Sequence, residues 1–324
     1  MEGVSLYKKI KLKDPYLITG WPGMGEVAYK AVSYLIEKLE AKQIAEIKSE
    51  NFFYLTGSVI QDGILRLPEI PFNKFYYWKN TSLKRNKNDL LIFLSNAQPD
   101  LVKAEDYSKL IIKTAKLFGV KMVISFAAMP QPIDHNQQPQ VWFASTSLQL
   151  NNLLKNYNLN LISEGQISGM NGLFLALAKK EGLEGFCLLG EIPLYTIQIE
   201  NPKASYAVLK VLSQVLDIFI DFNSLIEQIR IMEDEINKLF DYLKLGPSGP
   251  GPIGEEEIER IKKSLSQLTK LPLSVKEKIE KLFEQAKHDI SKAAQLKAEL
   301  DKWNVYKEYE DRFLDLFKKP KDNQ

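Results

Sequence analysis

Short apolar runs alternate with amphipathic stretches through the first two-thirds of the chain, and the runs stop after Asp221. That alternation is the pattern of an α/β domain. Tyr16-Leu17-Ile18-Thr19 reads as a buried strand. The spacing of Val27, Val32, Leu35, Ile36 and Leu39 predicts a helix from about Gly25 to Leu39. Further strands are expected at Gln43–Ile47, Phe75–Trp78, Leu90–Ser95, Lys121–Phe126 and Phe186–Leu189. Leu90–Ser95 is apolar throughout, so it belongs at the centre of a sheet covered on both faces. Helices are expected at Lys103–Phe118, Thr146–Tyr157, Asn171–Glu181 and Ala204–Ile220, and a loop rich in Pro, Gln and Asn at Met129–Pro139.

Beyond Asp221 the period becomes helical. Phe222, Leu225, Ile229, Met232, Ile236, Leu239 and Leu243 lie on one stripe. The segment GPSGPGPIG, residues 246–254, then interrupts the chain, because its prolines and glycines neither continue a helix nor pair in a sheet. Glu255, Glu256 and Glu257 favour a new helix start, where carboxylates meet the positive end of the helix dipole. Ser274 and Glu277 form a capping-box pair, and a last helix carries Trp303, Tyr306, Tyr309, Phe313, Leu316 and Phe317. The expected organisation is an α/β domain over residues 1–220 and an all-helical extension over 221–324. The apolar stripes of the extension must bury against each other, the α/β domain or another subunit.

Charge excludes one class of partner. From Phe222 onward there are 19 basic and 20 acidic side chains, against 43 and 41 in the whole chain, so neither part carries the concentrated positive field that nucleic-acid phosphates require. Arginine occurs only at 66, 85, 230, 260 and 312, which leaves little for bidentate phosphate clamps. No apolar run reaches the length of a signal peptide or a membrane span, and a cytoplasmic location is the default expectation. The one cysteine, Cys187, excludes an internal disulfide and a cysteine-rich zinc site. Its apolar setting makes it a small hydrophobe within a strand.

Three stretches invite chemistry. Gly23-Met24-Gly25-Glu26-Val27-Ala28 follows a strand, opens a helix and fits the G-x-G-x-x-A dinucleotide fingerprint, with Glu46 near the spacing of a ribose-binding acid. Gly20, Trp21, Gly23, Gly25 and Glu26 are therefore candidate ligand or partner residues. Against a phosphate cradle, Trp21-Pro22 sits inside the turn, and proline lacks an N–H. The alternative is a tight strand-to-helix turn that needs small residues. A second cluster, EGQISGMNGLF, places Gly169 and Gly172 before another helix. Asp134-His135 is the sole His–acid neighbour pair of the α/β region, read as an exposed loop pair without a nucleophile or orienting group beside it. No cofactor or metal is called for, and no catalytic residue is assigned.

The stretch PYLITGWPGMGEVAYKAVSYLIEKLEAKQIAEI resembles the opening of the proteasome assembly chaperones of the second-subunit type. GQISGMNGLFLALAKKEGLEGFCLLGEIPLYTIQIENPKASYAVLKVLSQVL resembles that family's closing half, and the likeness covers roughly residues 14–220. The resemblance implies a three-layer α/β/α sandwich related to purine nucleoside phosphorylases. It implies a non-catalytic assembly chaperone or scaffold that binds proteins, itself included as a homo-oligomer, with proteasome subunits as candidate clients. Nucleic acid and membrane are not expected partners. Some relatives are catalogued as carboxylate–amine ligases, so the alternative is an enzyme holding a nucleotide or small anion at the Gly20–Gly25 turn. Chaperones of this group dock through a C-terminal hydrophobic–Tyr–any-residue tail, a motif that Pro320–Gln324 does not match.

Overall fold

The computed structural model describes residues 3–54, 57–61, 63–82, 88–245, 273–302 and 306–317. The 246–254 break, the Glu255–Glu257 helix start, Trp303 and Pro320–Gln324 lie outside them, as do the side chains of Leu243, Ser274 and Glu277. The chain divides into two compact units, Met1–Pro250 and Gly251–Gln324, a division that falls within the Gly/Pro segment. The helix predicted over Phe222–Leu243 thus lies with the α/β elements in the first unit.

Among the described residues, nine strands form one sheet in the order β1-β3-β6-β7-β2-β8-β11-β9-β10. They are β1 (Val4–Leu6), β2 (Tyr16–Gly20), β3 (Lys42–Ile47), β6 (Asn73–Trp78), β7 (Leu90–Ser95), β8 (Met122–Gln131), β9 (Val141–Ser145), β10 (Asn160–Leu161) and β11 (Glu184–Pro193). Strands β4 (Val59–Gln61) and β5 (Ile64–Arg66) form a separate hairpin. The central four, β7, β2, β8 and β11, run parallel, and β3, β6 and β9 are antiparallel to their inner neighbours. Buried strands with helices on both faces are what a continuous apolar run such as Leu90–Ser95 requires.

Among the described residues, six helices belong to this unit: α1 (Val27–Lys38), α2 (Ala104–Leu117), α3 (Leu148–Leu154), α4 (Met170–Lys180), α5 (Pro202–Leu216) and α6 (Asn223–Leu245). On one face, Tyr107, Ile111 and Ala115 of α2 and Met170, Phe174 and Ala178 of α4 pack with Leu17, Phe93, Val123 and Cys187 of the strands. Strand residues alternate between faces. Helices α1 and α5 pack on each other and on the sheet, and α6 packs on α5. The result is the expected α/β/α layering.

The elements differ from the pattern reading in three places. Strand β8 continues through Met129, Pro130 and Gln131, which the loop over Met129–Pro139 was expected to contain. These residues pair with Glu191, Ile192 and Pro193 of β11, and β2 pairs with β8 only as far as Ser125. Pro130 therefore faces an open side, where its missing N–H costs no ladder bond. Strands β1, β4, β5, β9 and β10 carry three to five residues or fewer, too short for a periodic signal. Helix α5 stops at Leu216 rather than Ile220 because Asp217 turns left-handed, with φ +50°.

In the second unit, helices α7 (Leu273–His288), α8 (Ala293–Lys302) and α9 (Tyr306–Asp315) share a core that includes Ile279, Phe283, Leu296, Leu300 and Phe313. The Arg312 guanidinium lies 4.2 Å from the Phe283 ring centre and donates to both Glu280 carboxylate oxygens at 2.6 and 2.5 Å. That fork ties α9 to α7.

Gly20 ends β2 directly beneath α1. A methyl group there would stand 2.7 Å from Val32 Cγ2 and 2.9 Å from the Ala28 carbonyl oxygen. Gly20→Ala should therefore cost about 1–3 kcal/mol by overpacking, lowering the thermal midpoint by roughly 3–10 °C, read by calorimetry of the full chain.

Candidate functional site

The turn after β2 is built around a buried tryptophan. The Trp21 side chain is fully buried, with ring centres 5.4 Å from both Phe93 and Phe174. Its backbone N–H donates to Asn171 Oδ1 at 3.1 Å, and Asn171 Nδ2 donates back to the Trp21 carbonyl at 3.0 Å. The indole Nε1 donates to the Tyr107 hydroxyl at 3.4 Å, and that hydroxyl donates to Asn73 Oδ1. Asn73 Nδ2 donates to Ser49 Oγ at 2.7 Å, and Ser49 donates to the Pro71 carbonyl. Burial pushes the Tyr107 phenol well above its ordinary range, so it stays a donor.

This construction engages three of the amides a phosphate would need. Besides the Trp21 amide, the Gly25 N–H donates to the Ile197 carbonyl at 2.8 Å and the Glu26 N–H to the Gly23 carbonyl at 3.0 Å. Gly25 is left-handed, φ +59°, and its own carbonyl accepts from Asn201 N–H at 2.8 Å. A glycine is needed here for the backbone turn and for close approach to Asn201. Burial raises the half-buried Glu26 carboxyl above its usual range, with the Lys30 ammonium opposing.

The two glycine clusters meet at the C-terminal end of the sheet. Gln98, after β7, donates to the Pro22 carbonyl at 2.6 Å and accepts from the Met170 N–H at 2.9 Å. A methyl group at Gly23 would come 3.3 Å from Asn171 Nδ2, and one at Gly169 would come 3.2 Å from Gln98 Nε2. Gly172 lies against the preceding loop, where a methyl group would be 2.3 Å from the Ile167 carbonyl oxygen. Between these loops opens a cleft of about 180 Å³, lined in part by Met24, Met129, Ile167, Gln98, Gln166 and Glu164. It lies near the point where the connections from β2 and β7 depart to opposite faces, the usual place for a ligand in such a sheet. No Lys or Arg lines it, and Glu164 is its one charged wall residue, so it offers an anion no cation.

His135 is separate from this cleft. The expected exposed loop histidine is buried, 6% exposed, because α6 covers it. The Tyr195 hydroxyl accepts from the His135 backbone N–H at 2.8 Å and lies 2.9 Å from Nδ1. Nε2 lies 2.8 Å from Asn237 Oδ1 on α6, and the imidazole packs on Phe240 at 5.6 Å between ring centres. The Lys203 ammonium, mostly buried, donates to the His135 carbonyl at 3.0 Å and the Asn136 carbonyl at 2.9 Å, and pairs with Glu233 of α6. These groups latch α6 to the loop after β8. Asn237 and Lys203 carried no signal in the sequence, since the partners lie 102 and 68 residues from His135.

The family model described as PAC2 family matches residues 17–240, the α/β layers and most of α6. The chain belongs to the PAC2 family. Among relatives, the uncharacterized protein MJ1210 of Methanocaldococcus jannaschii is 26% identical, over 77% of this chain and 93% of its own. Among solved structures, PbaB of Pyrococcus furiosus, an archaeal proteasome activator, is 28% identical, with TM-score 0.62, covering 73% of this chain and 97% of that one. PbaA of the same organism, an archaeal homologue of proteasome-assembly chaperone, shares the fold at 23% identity and TM-score 0.56, over 74% of this chain and 98% of its own.

Two substitutions test these assignments. Asn171→Leu strips partners from both buried main-chain groups of Trp21, at about 1–3 kcal/mol for each, and should lower the urea midpoint while moving tryptophan emission to the red. His135→Ala removes the imidazole from Asn237 and Phe240. Hydrogen exchange over residues 223–245 should then quicken by at least tenfold, about 1.4 kcal/mol, with the central strands unchanged.

Proposed function

We propose that this PAC2-family chain is a non-catalytic protein-binding chaperone or scaffold that works as a homo-oligomer and has proteasome subunits as its clients. The observation that carries the reading is the turn after β2. The glycines that mimic a nucleotide fingerprint serve internal packing, and the amides of Trp21, Gly25 and Glu26 are engaged by the chain's own oxygens. Family membership and the likeness to a protein described as an archaeal proteasome activator supply the direction. The relation to purine nucleoside phosphorylase folds, the cytoplasmic location and the unit from Gly251 onward as a separate helical module are part of the same proposal. In it, the C-terminal cleft and the surface around it meet protein, because a cleft with one carboxylate and no cation suits a neutral or basic side chain better than a phosphate.

Capture of tagged full-length protein from its native lysate, beside an untagged control, tests the client. Stoichiometric proteasome subunits are the expected result; another defined complex, or the chain alone, refutes that client. Titration with ATP, GTP and NAD should be flat. Saturable binding that Gly25→Val abolishes would favour the ligase-type alternative at the Gly20–Gly25 turn.

A further inference from the structure

The hairpin of β4 and β5 stands apart from the nine-stranded sheet. Val59 pairs with Arg66, Ile60 with Leu65 and Gln61 with Ile64. Directly opposed residues of an antiparallel pair share a face, so Ile60 and Leu65 lie on one face and Val59 and Ile64 on the other. Among the described residues, neither face is covered. Ile60 is 69% exposed, Leu65 67%, Ile64 57% and Val59 49%, and Leu67 and Ile70 on the return segment are open as well. A lone hairpin is marginal in water, and soluble monomers seldom leave so contiguous an aliphatic patch bare.

The root of this arm is held in place. The hydrogen-bond chain that starts at Trp21 ends on the Pro71 carbonyl. A groove of about 540 Å³, bordered by Phe53, Tyr54, Val59, Pro68 and Pro99, opens at the same root. Leu101 and Val102 follow directly from the groove residue Asp100, and both are exposed.

We propose that the β4–β5 arm is the surface through which two copies of this chain associate. The arms pair about a two-fold axis and seat Ile60, Leu65 and Leu67 against the other copy's arm and groove. Three observations select a second copy as the occupant. Each strand of the two-stranded sheet has one open edge, and an open edge is self-complementary when two copies run antiparallel. The seated side chains Ile60, Leu65 and Leu67 carry on the order of 100 Å² of apolar surface each when bare. With Tyr54, Leu101 and Val102 they supply much of the roughly 800 Å² per partner of a standard interface. The patch is aliphatic, which is the composition of a permanent interface, whereas a surface that binds and releases a client is no more apolar than its surroundings. The proposal deepens the oligomeric part of the function argued above and is independent of the client.

Cross-linking reads it directly. The chain's own Cys187 is fully buried and its thiol is pushed up to about 12, so an introduced cysteine reports alone. Ile60→Cys and Leu65→Cys, each in the full chain, should form disulfide-linked dimers on mild oxidation at micromolar concentration. Lys113→Cys, on exposed α2, should form none. In sedimentation velocity the native chain should run as two or more copies. The Ile60→Glu, Leu65→Glu pair should weaken association by about 100-fold or more, the cost of desolvating unpaired carboxylates. A native chain that sediments as one copy, arm cysteines that cross-link no better than Lys113→Cys, or a double variant that keeps the native mass would overturn the proposal. If the glutamates unfold the chain, the cysteine series decides. A single-copy chain that still captures proteasome subunits defeats the arm and spares the client; an arm-linked oligomer that captures none does the reverse.

Discussion

Everything at the C-terminal end of the sheet depends on how Trp21 is buried. Its side chain sits between β7 and α4, and its main chain is clamped in both directions by one residue, Asn171. Burying an indole stabilises by about 4–6 kcal/mol, and an unpaired amide or carbonyl beside it would cancel much of that. The clamp therefore sets the start of α4 against the end of β2. Gln98 then joins the loop after β7 to both. The walls of the cleft follow from these bonds.

The same fingerprint residues suit two purposes for one physical reason. A phosphate cradle and a tight helix–strand contact both need backbone to come close, and both use glycine to allow it. The bonding partners distinguish them. At Gly25 both main-chain groups are engaged by the segment 197–201, so the turn is a joint between the two glycine-rich regions and the start of α5.

Helix α6 shows how a long-range latch changes the meaning of a loop. Tyr34 donates to the Asp221 carbonyl at 2.7 Å and stacks with Phe222 at the root of the helix, while His135 and Lys203 hold its middle. Lys203 gives up hydration on entering this site, and three oxygens replace it. The hairpin of β4 and β5 is the opposite case: it keeps aliphatic residues in solvent beside a groove, with its root tied to the hydrogen-bond chain that begins at Trp21.

The sequence by itself determined the layered α/β class, the central strands and the covering helices. Those elements are long enough for their period to show, as in Leu90–Ser95 and Ala104–Leu117. The residues of the two glycine clusters, and the family they resemble, were equally legible. Tertiary structure decided what was made of them. Short strands such as β9 exist because β11 offers them a ladder, and β8 runs on through Pro130 because one side of it is free. Whether Trp21 faces a ligand or the core, and whether His135 lies in water or beneath α6, depends on side chains 150 and 102 residues away. Local pattern records which residues can be buried; only the assembled fold settles which hydrogen-bond groups find partners once they are.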